Sequence, residues 1–274
     1  MRFDWYQATV AENPVVLVES LKAALAKDGT ITDGKGRHNY HQSFVVKDGR
    51  GERVALVLAG GPNGHPNVTA SGNATEPFVK CVREFWPQHR VTRFDVAEDM
   101  AQVGAFESLE AVCREVAADR GVKGRTIVPD DPSEGRTYYL GAPTSDVRVR
   151  LYDKTAQTRK ELPPARHSEI PDHWARLEVQ VRPRKNFKLF ASSMPPECAW
   201  GFADWTTELA RRAFALQIER VKMQAGRETD HERAYRFMIK QYANVFRVMA
   251  QDLGSWECVG LTIGDDIARL GRKR

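Results

Sequence analysis

The chain predicts an α+β fold: a largely antiparallel sheet covered by helices, with a helical C-terminal segment. Three observations carry that expectation. Short stretches of apolar/polar alternation recur at hairpin spacing between Arg2 and Val181. Helical patterns interrupt them singly instead of following every strand, which argues against a parallel βαβ sheet. After Asp204 the periodicity becomes wholly helical.

In order, Arg2 to Val10 reads as a strand, and Asn13-Pro14 caps and opens a helix that runs to about Lys27, with Gly29 ending it. Turn residues separate strands near Ser43–Lys47, Arg53–Ala59 and Asn67–Ser71. A helix over Pro77–Trp86 takes Thr75 as its cap and stops before Pro87. A strand over Arg90–Asp99 and a helix over Phe106–Arg120 follow. The remaining strands are Arg125–Val128, Thr137–Leu140, Val147–Tyr152 and Trp174–Val181. This order suggests two related halves, with a ferredoxin-like unit as the candidate for each. Pro195-Pro196 marks a boundary between a sheet domain, 1–195, and a helical segment, 196–274. Within that segment, helices are expected from Asp204 to about Met223 and from Thr229 to about Asp252. The second opens on a capping box, Thr229-x-x-Glu232, and Tyr235, Met238, Ile239, Tyr242, Phe246 and Met249 fall at the spacing of a packed helix face.

A length of 274 residues allows one large domain or two ordinary ones, and 42% apolar with 28% charged residues is a globular composition. No apolar run approaches the ~20 residues of a membrane span. Met-Arg-Phe-Asp-Trp-Tyr carries charge where a signal peptide has its apolar core, so a cytoplasmic protein is expected. Cys81, Cys113, Cys198 and Cys258 are scattered, against a zinc ribbon or disulfide framework. The net charge of +5 is unevenly spread: Arg148–Lys188 holds eleven Lys/Arg and five Asp/Glu, a local +6 that leaves the rest of the chain at −1. Concentrated charge of this kind suits a phosphate backbone, with Arg148, Arg176, Arg184, Lys185 and Lys188 as candidate contacts. A solvated loop laced with ion pairs is the plainer account of such a run.

Three segments pair an apolar face with a charged one. Alternation separates Val147, Val149 and Leu151 from Arg148, Arg150, Tyr152 and Lys154. It sets Phe94 and Val96 against Arg93, Asp95, Ala97 and Asp99, and Leu177, Val179 and Val181 against Arg176, Glu178, Gln180 and Arg182. A tyrosine in a cationic row is a candidate phosphate-attacking nucleophile, because cations hold a phosphodiester and favour the phenolate. Asp95, Asp99 and Glu178 are hard oxygen donors suited to Mg²⁺ or Mn²⁺. Cross-strand salt bridges are the plainer account of each acid taken alone. Gly60-Gly-Pro-Asn-Gly64 lacks the ending of a phosphate-cradling loop, and His38-x-x-His41 lies among glycines, off any helix. Tyr138 and Tyr139 are rival nucleophiles, of which only one can share the polar face.

On these residues the chain resembles the rolling-circle replication initiators of small plasmids, filamentous phages and some integrative conjugative elements. That family includes DNA relaxases often called the Rep_trans or replication initiation factor family. The resemblance rests on Asp4-Trp5-Tyr6-Gln-Ala-Thr9, Val68-Thr-Ala-Ser-Gly72, Arg93-Phe-Asp95, Thr137-Tyr-Tyr-Leu-Gly-Ala-Pro-Thr-Ser-Asp146, Arg150-Leu-Tyr-Asp-Lys154, Arg176-Leu-Glu178 and Arg182. Ala142-Pro143 departs from the family pattern, which has polar or basic residues in that loop.

The resemblance implies a metal-dependent tyrosine endonuclease over 1–195 that nicks one strand of origin DNA, which is double-stranded with a single-stranded nick site. Tyr152 would attack the phosphate, leaving a 5′-phosphotyrosyl link and a free 3′-OH, and would later rejoin the strand. Asp95 and Glu178, with Asp99, would hold Mg²⁺ or Mn²⁺, and Arg150, Lys154 and Arg182 would position phosphate and stabilise charge. A host helicase and a second copy of the chain are further candidate partners, and a membrane is not. The 196–274 segment would serve DNA recognition or oligomerisation. The alternatives are a replication or regulatory protein that grips DNA without cutting, and a metal nuclease that uses water.

Overall fold

The computed structural model describes residues 1–216, 218, 221 and 230–271. Ten antiparallel strands form one sheet: β1 (Arg2–Thr9), β2 (Thr30–Lys35), β3 (Gln42–Lys47), β4 (Arg53–Ala59), β5 (Asn67–Ser71), β6 (Arg90–Ala101), β7 (Gly124–Ile127), β8 (Thr137–Leu140), β9 (Val147–Asp153) and β10 (Trp174–Val181). Their order is β2-β3-β4-β5-β1-β6-β10-β9-β8-β7. The two central strands divide it into equivalent halves. Each half is a strand, a helix and a four-stranded meander whose last strand returns beside the first: β1, α1 (Pro14–Leu25) and β2 to β5, then β6, α3 (Ala105–Arg120) and β7 to β10. The expected α+β fold with a helical C-terminal segment is observed. Strand β2 and the helices α4 (Lys154–Glu161) and α8 (Trp256–Gly271) are additions to the sequence reading. Lys154, expected on the charged face of the β9 strand, instead opens α4 because Asp153 caps a helix there.

The helices form where their chemistry directs. Asn13 accepts from the backbone N–H groups of Val15 and Val16, and Pro14 occupies the first turn of α1. Gly121 closes α3 in the left-handed conformation at φ 62°. Thr75, expected as the cap of α2 (Thr75–Phe85), lies inside the helix instead. It is buried, and its hydroxyl donates to the Asp4 carbonyl at 3.1 Å. Phe3, Tyr6, Phe94, Val96, Val149, Leu151, Leu177 and Val179 line the apolar face of the sheet. They share one core with Leu17, Leu21, Phe78, Val82, Leu109, Cys113, Trp200 and Leu209 from the covering helices.

The chain divides into two compact units, Met1–Val221 and Lys222–Arg274. The division thus falls later than Pro195-Pro196. Ala199 and Trp200, in a 3-10 turn over Pro196–Phe202, and Leu209 and Ala210, in α6 (Asp204–Phe214), are buried in the core of the first unit. Helix α6 ends at Phe214, and the segment expected to extend it to Met223 lies mostly outside the described residues, as does Thr229 of the expected capping box. The second unit contains α7 (Asp230–Leu253) and α8 (Trp256–Gly271). The packed face expected on α7 is only partly so: Phe246 and Met249 are half-buried, whereas Tyr235, Met238, Ile239 and Tyr242 are exposed. One neighbouring helix covers only part of a broad apolar stripe.

Candidate active site on the polar face of the sheet

Cross-strand register assembles the charged residues in rows. Tyr152 lies opposite Arg176, which lies opposite Asp99. Arg150 lies opposite Glu178. Arg148 lies opposite Gln180, and Gln180 opposite Asp95. On the next strand out, Tyr139 pairs with Arg150 and Thr137 with Tyr152. Tyr139 therefore shares the polar face while Tyr138 is buried in the core, as adjacent strand positions require.

An irregularity in β1 brings in a residue that alternation does not assign. Phe3 and Tyr6 both point into the core, three positions apart, because the β1–β6 register shifts between Phe3 and Trp5. Such a bulge re-aims a side chain, here Asp4. Asp4, Arg2, Arg150, Tyr152, Lys154, Trp174 and Arg176 line an open cleft of about 650 Å³. Counted from Phe3, alternation sets Asp4 on the polar face, and counted from Tyr6 and Ala8, on the apolar one; the bulge decides between them.

Tyr152 is 7% exposed. Its ring lies beneath the Arg150 guanidinium, 4.7 Å from the centroid, with the Lys154 ammonium at 5.9 Å. The cations do not free the phenolate in this arrangement. Burial, and next the Glu178 charge, push the Tyr152 hydroxyl well above its ordinary value, against the opposing pull of Arg176 and Arg150. The reason is that acids already balance these arginines. Arg176 is 2% exposed and donates to Asp4 (2.8 Å) and to both oxygens of Asp99 (2.7 and 2.8 Å). Burial alone would raise Asp99, but the hydrogen bonds and charge of Arg176, aided by Trp174 and Arg2, hold it below the usual carboxylate range. Expected among the DNA contacts, Arg176 is instead a buried tie between β1, β6 and β10.

Arg150 gives one nitrogen, Nη2, to both oxygens of Glu178 at 2.9 and 2.8 Å. The two partners respond differently. Arg150 holds its proton more firmly than usual, since the nearby carboxylate outweighs the effect of its burial. Glu178 is raised, because burial, joined by the charges of Asp95 and Asp4, outweighs Arg150. Lys154 is held below its ordinary value by burial and by Arg176. Its ammonium donates to the neutral Gln157 at 3.2 Å and has no carboxylate within ion-pairing distance among the described residues.

The acids proposed as metal ligands are each engaged by an arginine. Asp95, 2% exposed, accepts from Arg93 Nε at 2.9 Å and Nη2 at 2.5 Å. Glu178 is held by Arg150 and Asp99 by Arg176. Among the described residues, no three acidic, histidine or cysteine side chains form a group that could hold a metal ion. As arranged, the donor set does not fit Mg²⁺ or Mn²⁺.

The remaining cations are dispersed. Arg182, expected beside the nucleophile, follows the end of β10, six residues from Arg176 and roughly 20 Å along the strand from it. Its Nη1 donates to the carbonyls of Pro143 and Ser145. Alternation had placed it on the correct face but at the wrong end. Arg184 is paired with Asp146 at 2.7 Å, Lys185 is exposed and Lys188 half-buried in α5 (Phe187–Phe190).

No family model matches the chain, and no curated protein matches it. Among solved structures, the chain is similar to a rolling circle replication initiator protein from Geobacillus stearothermophilus. The two are 23% identical over 66% of this chain and 73% of that one, with a TM-score of 0.47. Among the described residues, no helix is long and apolar enough to cross a membrane.

Proposed function

We propose that this protein is a rolling-circle replication initiator that nicks one strand of origin DNA through Tyr152 and later rejoins it. One observation carries the reading: Tyr152 lines an open cleft together with Arg150, Lys154 and Arg176, in a row of the sheet that also holds carboxylates. The order and spacing of the motifs around it agree.

In this reading Lys154, whose ammonium lies 5.9 Å from the Tyr152 ring centroid, receives the phenolic proton. With its amine neutral, the Tyr152 O–H passes its proton to Nζ as the oxygen bonds to phosphorus. The bond from phosphorus to the 3′ oxygen breaks, and that oxygen takes a proton from water. The products are a 5′-phosphotyrosyl end and a free 3′-OH. Rejoining reverses each step, with the Lys154 ammonium protonating the departing phenolate. Arg150 spends only Nη2 on Glu178 and its side chain is 41% exposed, so it can also hold a non-bridging phosphate oxygen. A phosphate entering the cleft adds negative charge beside Arg150 and Lys154 and would displace water from Tyr152.

Mg²⁺ or Mn²⁺ at Asp95, Glu178 and Asp99 does not fit the arrangement described above. Binding there needs Arg93, Arg150 and Arg176 to release those acids, and no step above depends on it. A helicase and a second copy of the chain belong to the proposal as partners.

The burial and raised value of the Tyr152 hydroxyl favour a second reading, in which the face grips DNA without cutting it. Incubation with a labelled library of single-stranded oligonucleotides and Mn²⁺, resolved on a denaturing gel, separates the two. Cleavage by the native protein that disappears in Tyr152→Phe, with strand binding kept, supports the nickase. Binding with no cleavage by either protein supports the second reading.

A further inference from the structure

Away from the Tyr152 cleft, the same face carries arginines that no acid neutralises. Arg148 lies four residues before Tyr152 on β9, about 13 Å away at the rise of a strand, and points to the same side. Its guanidinium stacks on the Tyr139 ring, 3.9 Å from the centroid. Its Nε is buried without a hydrogen-bond partner, and it makes no ion pair among the described residues. Arg125 pairs with Tyr139 in the β7–β8 ladder and is exposed, and it too has no carboxylate partner among the described residues. Arg182 is satisfied only by neutral carbonyls. The Tyr152 end differs, since Arg150 and Arg176 are both chelated by acids there.

We infer that Arg148, Arg125 and Arg182, with Tyr139, form a subsite for a backbone phosphate and an adjoining base of a single nucleic-acid strand, a few nucleotides from the bond at Tyr152. Clustered guanidiniums without counter-charges repel one another, and an incoming phosphodiester relieves that repulsion. Arg148 registers it: burial lowers its hold on its proton, and Arg150, Arg182 and Arg125 lower it further, against the opposing pull of Tyr139. The Arg148 Nη groups, which are neither buried nor hydrogen-bonded within the described residues, are donors for a phosphate oxygen. The phenol ring of Tyr139, already a platform for a planar cation, presents the kind of surface on which bases stack. Such a subsite would set which phosphate reaches Tyr152. It rests on reading the polar face as a strand-binding surface, but not on Tyr152 cutting the strand.

The test uses the full chain carrying Tyr152→Phe, so that no strand is cut, and a short single-stranded oligonucleotide followed by fluorescence anisotropy over a KCl series. Arg148→Ala and Arg125→Ala are each expected to weaken binding severalfold and to shrink the slope of log affinity against log salt by ~0.7. Tyr139→Leu is expected to weaken binding about tenfold with the slope unchanged. Arg159→Ala, which removes a cation paired with Asp172 on α4, should change neither. Arg125 lies on an exposed edge strand, so its truncation tests the inference even if Arg148→Ala fails to fold. Unchanged affinity and slope in Arg125→Ala and in any folded Arg148 variant overturn the subsite. If these variants behave as expected while the native protein never cuts, the subsite stands and the nickase falls; cleavage by Tyr152 with indifferent variants gives the reverse.

Discussion

Tyr152 and Arg176 face each other across the β9–β10 ladder, and the arginine is fully committed to Asp4 and Asp99. The phenol thus sits beside a cation whose charge is already balanced. Burial, and next the Glu178 charge, hold the hydroxyl above its ordinary value, and a cation already balanced by acids does not offset them. The pairing also makes Arg176 a structural tie, and Lys154 the cation free to act.

Arg176→Leu removes the buried cation from two acids, leaving Asp4 without its arginine and Asp99 with only Trp174 and Arg2 beside an apolar side chain. A loss of stability of about 3 kcal/mol is expected, in the range measured for breaking buried pairs. Urea unfolding of the variant beside the native protein measures it. A change below about 0.5 kcal/mol, typical of exposed pairs, would show that the Asp4–Arg176–Asp99 tie is not buried as described.

Lys154→Arg keeps the positive charge but removes the proton acceptor, whereas Lys154→Met removes both. If Lys154 takes the phenolic proton, both variants lose cleavage by 10²-fold or more, the usual worth of a positioned acid–base group. If it serves only to hold phosphate, Lys154→Arg retains most activity. The pH dependence of cleavage adds a second check: the native rate rises as Lys154 loses its proton, below the ordinary lysine range, and that rise disappears in Lys154→Arg.

Glu178 binds its proton more readily when folded than when unfolded, where a value of about 4.3 applies. Its contribution is therefore stabilising below the unfolded value, and is lost as pH rises toward about 7. Thermal or urea stability should fall across that window, and Glu178→Gln should flatten the fall. A native profile that rises over the same interval, or a variant profile of unchanged slope, contradicts the assignment.

Much of this was legible because alternation is a local property. The polar and apolar faces of β6, β9 and β10 follow from period-2 spacing, and the antiparallel sheet follows from hairpin-length connections. Position along a strand is not local. The resemblance implies that Arg182 lies beside Tyr152, and only register shows that the two occupy opposite ends of the charged face. Cross-strand pairing is no more local: only the Arg93–Asp95 pair lies within one strand, and nothing in the spacing of Arg150 and Arg176 says which acids they bind. A bulge breaks the alternation in β1, so period-2 spacing does not assign Asp4 to a face. The late domain division has a comparable cause, since the turn holding Trp200 looks like a linker in sequence but supplies a buried side chain to the first unit.

The central claim is a covalent bond between Tyr152 and DNA. Its most direct measurement is to trap the protein with single-stranded DNA, digest the adduct with protease and locate the nucleotide-bearing peptide by mass spectrometry. The account predicts one modified peptide containing Leu151-Tyr152-Asp153, with a phosphate joining the tyrosine to a 5′ end, and no adduct from Tyr152→Phe. An adduct on Tyr139 or another residue, or an adduct that persists in Tyr152→Phe, would contradict it.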